Sequence, residues 1–407
     1  MPVASACLWP LKRSVPGGST MSAFRRSAVA LVGACAFLQL YTPQALLPLF
    51  AAEFGASPAA VSLTVSATTL AVALTAPFAG ALADVFGRRR IIVGAVFVLA
   101  LPTLLIATAS SLEELVLWRF AQGLLLPPIF AVAVAYIGEE WPPGEVASMI
   151  GIYTADSAFG GFLGRFLTGL AADHLGWQTA FIVLAAIDLA GAAIIARYLP
   201  SERRFVAAAG MAPSLHAMIR HLRNPRLLAT FAAGFAILFA FVAIFTYVSF
   251  HLAAAPYALS PAALGSLFVV YLFGVVVTPL SGRAVTRFGR AKVAACAIAL
   301  WCAALALTLI ASLPAIVAGL AIAAACGFVC QALANGFLAA SAGGGRSSAV
   351  GLYVTSYYTG GTIGGLLPAL AFTAFGWPGV VALVIAVLVL MGTAVVPAWR
   401  ARKTGRI

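Results

Sequence analysis

Long apolar runs dominate this chain and leave it few ways to fold. Twelve of them, near 27–50, 60–83, 91–109, 114–137, 147–170, 178–199, 227–250, 262–284, 291–311, 313–338, 347–373 and 377–398, alternate with short charged stretches. A bilayer core about 30 Å thick is crossed by roughly 20 apolar residues in a helix. The runs are continuous rather than alternating, which argues against a transmembrane barrel. Composition agrees: 63% of the 407 residues are hydrophobic and 9% charged, against about 25% charged in a soluble chain. The 38 glycines and 22 prolines spread through the runs suit membrane helices, whose neighbours re-satisfy the backbone. The reading is an all-α membrane protein of twelve transmembrane helices.

The basic balance is a topology signal. Of 24 Lys and Arg, only Arg119 and Arg165 lie deep inside apolar runs, and Arg197 and Arg283 fall at run ends. The others fall in alternate loops and in the tails, at 12–26, 88–90, 197–226, 283–292, 346 and 400–406. The intervening loops hold Glu53, Glu113, Glu114 and Asp173 and no basic residue. The positive-inside rule therefore expects both termini in the cytoplasm. A nucleic-acid partner would need a soluble basic face; the expected partner is the lipid bilayer. Lys12 and Arg13 follow the apolar stretch Ala4–Trp9, the reverse of a secretory signal. Residues 1–26 are read as a cytoplasmic tail, with Met21 as a second candidate start. Cys7, Cys35, Cys296, Cys302, Cys326 and Cys330 are spread over the tail and apolar helices and read as packing residues. His174, His216, His221 and His251 fall in loops or at membrane edges, so no metal site is expected.

The chain repeats itself. Shifted by 200, residues 148–177 fall on 348–377 without a gap, and 11 of 30 positions are identical. They include Tyr153/Tyr353, Gly160/Gly360, Gly161/Gly361, Gly164/Gly364, Gly176/Gly376 and Trp177/Trp377. A shift of 202 brings Gly80 and Gly87-Arg88 onto Gly282 and Gly289-Arg290. The expected layout is a tail (1–26), a six-helix bundle (27–199), a linker (200–226), a second bundle (227–399) and a tail (400–407). Parallel repeats of this kind put a substrate site near the midplane between the halves.

The motifs resemble those of a known family. Gly80-Ala-Leu-Ala-Asp84-Val-Phe-Gly87-Arg88-Arg89-Arg90 resembles the helix 2–3 signature of the major facilitator superfamily. Leu115-Val-Leu-Trp-Arg119-Phe-Ala-Gln122-Gly123 resembles its helix 4 motif, and Gly160-Gly161-Phe-Leu-Gly164-Arg165 the end of its helix 5 motif. With the repeat, the resemblance spans nearly the whole chain and is nearest to the proton-linked drug and arabinose-efflux-like branch. It implies the major facilitator fold of two six-helix pseudo-repeats, a monomer, and proton-driven export of a small solute. In one respect the sequence departs: Asp156-Ser157 stands where the antiporter form of the helix 5 motif has Gly-Pro. The resemblance gives Asp84 the role of a cytoplasmic latch. An anion there would suit the positive N-terminus of a helix, here the eleventh near Ser347 and Ser348; the alternative is a solvated pair with Arg88. Gly80 and Gly87 would allow a tight turn and close helix approach.

Intramembrane charges are functional candidates because each is costly to bury. There are four, Arg119, Asp156, Arg165 and Asp188, all in the first half; no acidic residue follows Glu202. Asp156, near the midplane beside the Gly160/Gly164 stripe, is the favoured proton carrier, within reach of Arg119. Arg119 matches a family residue tied to coupling. Arg165 is expected to order helix 5 or pair with Asp156 or Asp188, and Asp188 to form a structural pair. The family's cavity is lined by helices 1, 4, 7 and 10, which nominates Gln39, Tyr41, Gln44, Gln122, Tyr247, Gln331 and Asn335 for a neutral or lipophilic solute, with interhelical bonding as the competing reading. Tyr353, Tyr357 and Tyr358 add aromatic surface on helix 11. No phosphate loop, catalytic triad or metal spacing is present, so neither an enzyme nor a cofactor is expected. An importing symporter or uniporter, and a receptor on the same fold, are the alternatives.

Overall fold

In the computed structural model, residues 18–202, 218–341 and 346–400 are described, and every regular element among them is helical. Parts of the expected tails and linker, 1–17, 203–217 and 401–407, lie outside them. The first span is α1 (Gly18–Leu40), a 3₁₀ turn (Thr42–Ala45) and α2 (Leu47–Glu53). Then come α3 (Pro58–Phe86), α4 (Arg88–Ile106), α5 (Leu112–Glu140), α6 (Val146–Leu175) and α7 (Trp177–Tyr198). The second half holds α8 (Pro225–Ala253), α9 (Pro261–Leu267), α10 (Val270–Phe288), α11 (Arg290–Leu307), α12 (Leu313–Ser341), α13 (Arg346–Leu366) and α14 (Pro368–Ala398). Ten stretches, with α9 and α10 counted as one, are long and apolar enough to cross a membrane unaided. The first, eighth and eleventh spans are interrupted, at 41–46, 268–269 and Leu367, so the expected twelve crossings are built from fourteen helices among the described residues. Gly376 (φ 65°) divides α14 between the eleventh and twelfth crossings.

Single glycines make the sharp reversals. Gly87 (φ 91°) separates α3 from α4, and Gly289 (φ 82°) separates α10 from α11. A side chain is strained in that backbone region, which glycine enters freely.

The sequence repeat reappears as packing. A Cβ on Gly160 or Gly164 would collide with the α1 backbone at Ala34 and Leu38. Gly360 and Gly364 stand the same way against Phe235 and Phe239 of α8. Tyr153 lies over Gly33, and Tyr353 over Gly234. Small residues let backbones approach closely, which drives helix association in lipid. Each half thus clamps its fifth helix on its first.

The halves meet along α3 and α13 and where α6 meets α9. At the end carrying the acidic loops the joint is dense. Ser62 donates to the Tyr247 hydroxyl (3.4 Å) and Ser66 to the Thr362 carbonyl (3.1 Å), while the Thr69 and Thr362 hydroxyls are 3.1 Å apart. A Cβ on Gly169 would strike Pro261, and one on Gly265 would strike Arg165 and Phe166. The Asp173 carboxylate accepts from the Ser260 hydroxyl (2.6 Å) and the Ala262 amide (3.1 Å), tying α6 to the start of α9. Toward the arginine-rich end the α3–α13 seam reaches Pro77 and Gly351. Beyond it, a Cβ on Gly80 would meet nothing within 4 Å among the described residues. Among the described residues no helix approaches closely at Gly80 in this form.

Candidate functional site

The break in the first span explains Arg119. Pro43 has no N–H, so the Gln39 carbonyl loses the partner four residues on, and the Leu40 carbonyl is freed as the chain turns into the 3₁₀ segment. Arg119, fully buried on α5, supplies both. Nη1 donates to the Gln39 carbonyl (2.8 Å) and Nη2 to that of Leu40 (2.7 Å), while Nε donates to the Thr64 carbonyl (3.1 Å). A cation suits the negative end of a helix, and this one closes the end of α1.

The same guanidinium starts a hydrogen-bonded chain across three helices. Arg119 Nη1 donates to Gln122 Oε1, and Gln122 Nε2 to Gln39 Oε1 (3.3 Å) and to Thr103 (2.7 Å). Gln39 Nε2 donates to Asp188 Oδ2 (2.7 Å). Every amide points its donors toward Asp188, so the chain runs from a cation to a carboxylate. Asp188 Oδ1 is buried with no hydrogen-bond partner among the described residues. Gln39 and Gln122, nominated as cavity residues, are both fully buried inside this relay.

Asp156 stands elsewhere. It is half-buried in a groove of about 570 Å³ between α1, α6 and α7, lined also by Arg26, Cys35, Phe159 and Ile187. The expected approach to Arg119 is not made, since all of Arg119's donors go to α1, α3 and α5. Nor does Asp156 pair with Arg165. Nine residues at 100° each point the two side chains to opposite faces of α6, about 13 Å apart along its axis.

Arg165 is buried where the halves meet. Nε donates to Gln44 Oε1 (2.8 Å) and Nη1 to the Gly161 carbonyl. Three rings surround its Cζ: Phe268 at 4.5 Å, Tyr41 at 4.9 Å and Tyr271 at 5.0 Å. Gln44 passes the contact on to Thr246 of α8 (3.2 Å). Tyr247 is fully buried and holds α13, with Ser62 at 3.4 Å. Gln44 and Tyr247, also nominated for solute, therefore join helices in this form. Tyr357 is half-buried near Gln331, and Asn335 is exposed on α12. Phe130 stacks on Tyr358 with centroids 5.7 Å apart.

The α3–α4 motif forms a clasp at the arginine-rich end. Arg88 bridges Asp84 (3.1 Å) and Glu139 (2.6 Å), joining α3 to α5. Arg89 donates to the Ala196 (2.6 Å) and Leu199 (2.8 Å) carbonyls at the end of α7, and its own amide donates to Glu202 (2.7 Å). Arg90 is exposed. The carboxylate of Asp84 thus bonds Arg88, as in the simpler expectation; the side chain of Ser347, on the expected helix-11 partner, lies outside the described residues.

The Asp173–Ser260 tie and the helix-capping use of Arg119 were not anticipated. Signals for both exist: Ser260-Pro261 opens a helix, and Pro43 sits inside an apolar run.

Comparison with known proteins places the chain. The family model described as Major Facilitator Superfamily matches residues 29–255 and 248–406. The Escherichia coli (strain K12) inner membrane transport protein YnfM is 32% identical over 91% of this chain and 90% of its own. The uncharacterized MFS-type transporter YybF of Bacillus subtilis (strain 168) is 31% identical over 87% and 88%. Among solved structures, a bacterial homolog of the human lysosomal transporter Spinster, in an inward-facing and unoccupied conformation, superposes with TM-score 0.70 at 18% identity, covering 94% of this chain and 96% of that one. The chain belongs to the Major Facilitator Superfamily of multi-pass membrane transporters.

Proposed function

We propose that this transporter exports a small solute in exchange for protons, by alternating access, with Asp188 rather than Asp156 as the proton-carrying group. The observation that carries the reading is the chain Arg119–Gln122–Gln39–Asp188, which ends in a buried carboxylate with one oxygen unpartnered. A proton added at Oδ1 leaves the Gln39 bond in place. It removes the negative charge that balances Arg119 through two amides. Arg119 closes the broken end of α1, so a change at Asp188 reaches the helix that bends between the halves. With the basic loops in the cytoplasm, as the charge asymmetry expects, the form described here is sealed on the outer side and faces inward. When the inner side closes, Asp84 is expected to turn from Arg88 to the positive end of the eleventh helix.

Everted vesicles with an imposed pH gradient test this. Asp188→Asn is expected to abolish gradient-driven accumulation while downhill exchange continues, and Asp156→Asn to keep both. Loss of coupling in Asp156→Asn alone would return the role to Asp156; coupling intact in both variants would remove it from these carboxylates. A second reading, proton symport into the cell, is favoured by Asp156-Ser157 standing in place of Gly-Pro; the direction of proton flux in the same vesicles decides it. A reporter fused after Arg204 checks the orientation, and alkaline-phosphatase activity there would reverse it.

A further inference from the structure

Arg119 and Arg165 are both buried cations, but only Arg119 is linked to a carboxylate. The donors of Arg119 are taken up by three backbone carbonyls, an amide and a hydroxyl, and its charge is answered by Asp188 through the relay. Arg165 is 1% exposed and has no carboxylate against it. Asp156 lies on the opposite face of α6, Asp188 bonds Gln39, and the chain carries no acidic residue after Glu202. Its Nε and Nη1 bond an amide and a carbonyl, and Nη2 has no hydrogen-bond partner among the described residues. A buried charge left without a counter-ion is costly. The rings of Phe268, Tyr41 and Tyr271 offset part of that cost.

Two of those rings belong to the second half and stay on Arg165 only while α9 and α10 are packed on α6. Opening the sealed end draws them away and leaves the guanidinium facing the gap. Tyr41 is half-buried and lies near Tyr271, Tyr357 and Tyr358, with Gln331 near Tyr357. A forked cation among tyrosines, with no competing carboxylate, is the chemistry that recognises a planar organic anion: the fork takes a carboxylate side-on, and the rings take an apolar body.

We propose that Arg165 is a substrate-binding residue and that the transported solute is a monocarboxylate with an aromatic or similarly flat apolar body, rather than a lipophilic cation. This deepens the transporter reading and rests on it, but does not depend on proton coupling or on direction. The expected site lies between Arg165, Tyr41, Tyr271 and Tyr357.

The test is equilibrium binding to the purified full-length protein in nanodiscs, without a gradient, so that its outcome is separate from the vesicle experiment on coupling. Three probes share one skeleton: 3-phenylpropionate, 3-phenylpropionamide and 3-phenylpropylammonium. The carboxylate is expected to bind at least tenfold more tightly than either partner. Arg165→Gln should erase that preference, and Arg165→Lys, which keeps the charge but loses the fork, should retain part of it. Equal or tighter binding of the amide or ammonium probe, no binding of the carboxylate, or an undiminished preference in Arg165→Gln would each overturn the proposal. The ranking of probes on the unsubstituted protein stands as a test even where Arg165→Gln does not fold.

Discussion

Proline 43 and arginine 119 are 76 residues apart in sequence and act as one unit. The proline removes an amide from the first span, and the arginine replaces it with two donors from another helix. Removing the guanidinium leaves the buried Leu40 carbonyl unpaired, at about 1–3 kcal/mol, and the Gln39 carbonyl with the Thr42 hydroxyl alone (3.2 Å). Arg119→Gln is therefore expected to lower the melting temperature of the purified protein markedly. Pro43→Ala restores an N–H able to reach the Gln39 carbonyl, so the arginine should matter less in that background. A double-mutant cycle on thermal unfolding should give a coupling of about 1 kcal/mol or more. Additive effects would mean that the arginine does not serve the break. The opposed faces of Asp156 and Arg165 needed no coordinates, since nine residues are two and a half helical turns. The partners of Asp188 did need them: a Gln on the first span, 149 residues away, leaves no local trace.

At the scale of elements, the glycine pairs set the distance between helices. Gly164 and Gly364 face the backbones of Leu38 and Phe239, whereas Gly94 and Gly282 face open space. Leucine at 164 or 364 must push its helix off its partner, a strain of at least about 1–3 kcal/mol; leucine at 94 or 282 meets nothing. Abundance in membranes and melting temperature should fall for the first pair and stay near normal for the second, and equal losses at all four would refute the packing account. This clamp was legible in the sequence, because the same glycines recur 200 residues on and only close backbone contact requires them. The interruptions of the first, eighth and eleventh spans were not legible. Hydropathy measures transfer to lipid and is indifferent to whether a run is one helix or two. The prolines at 43 and 368 carried that signal, yet membrane helices often hold prolines without breaking, as α3 does at Pro77.

Across the whole molecule, the two halves are joined at the acidic end largely by polar side chains. Ser62, Ser66, Thr69, Asp173, Tyr247, Ser260 and Thr362 make these contacts. Such bonds exchange readily for bonds to water and are worth about 0.5–1.5 kcal/mol net apiece, so a joint built from a few of them can open and reclose. That suits a carrier whose two forms differ by a few kcal/mol. Asp173 is exposed, so its tie to Ser260 and Ala262 belongs at the low end of that range. Asp173→Asn combined with Ser260→Ala should raise the share of molecules open at this end about threefold. Thr69→Cys, in a background with the six native cysteines replaced, reports the opening: its hydroxyl now meets Thr362 across the seam, out of reach of a membrane-impermeant thiol reagent added from the Asp173 side. The double variant should raise the labelling rate by a similar factor, and a solute that favours the form sealed at this end should restore slow labelling. If the rate at position 69 stays unchanged while transport is lost, the Asp173–Ser260 tie does not hold the seam, and closure rests on the Tyr247 and Thr362 contacts deeper in the bundle.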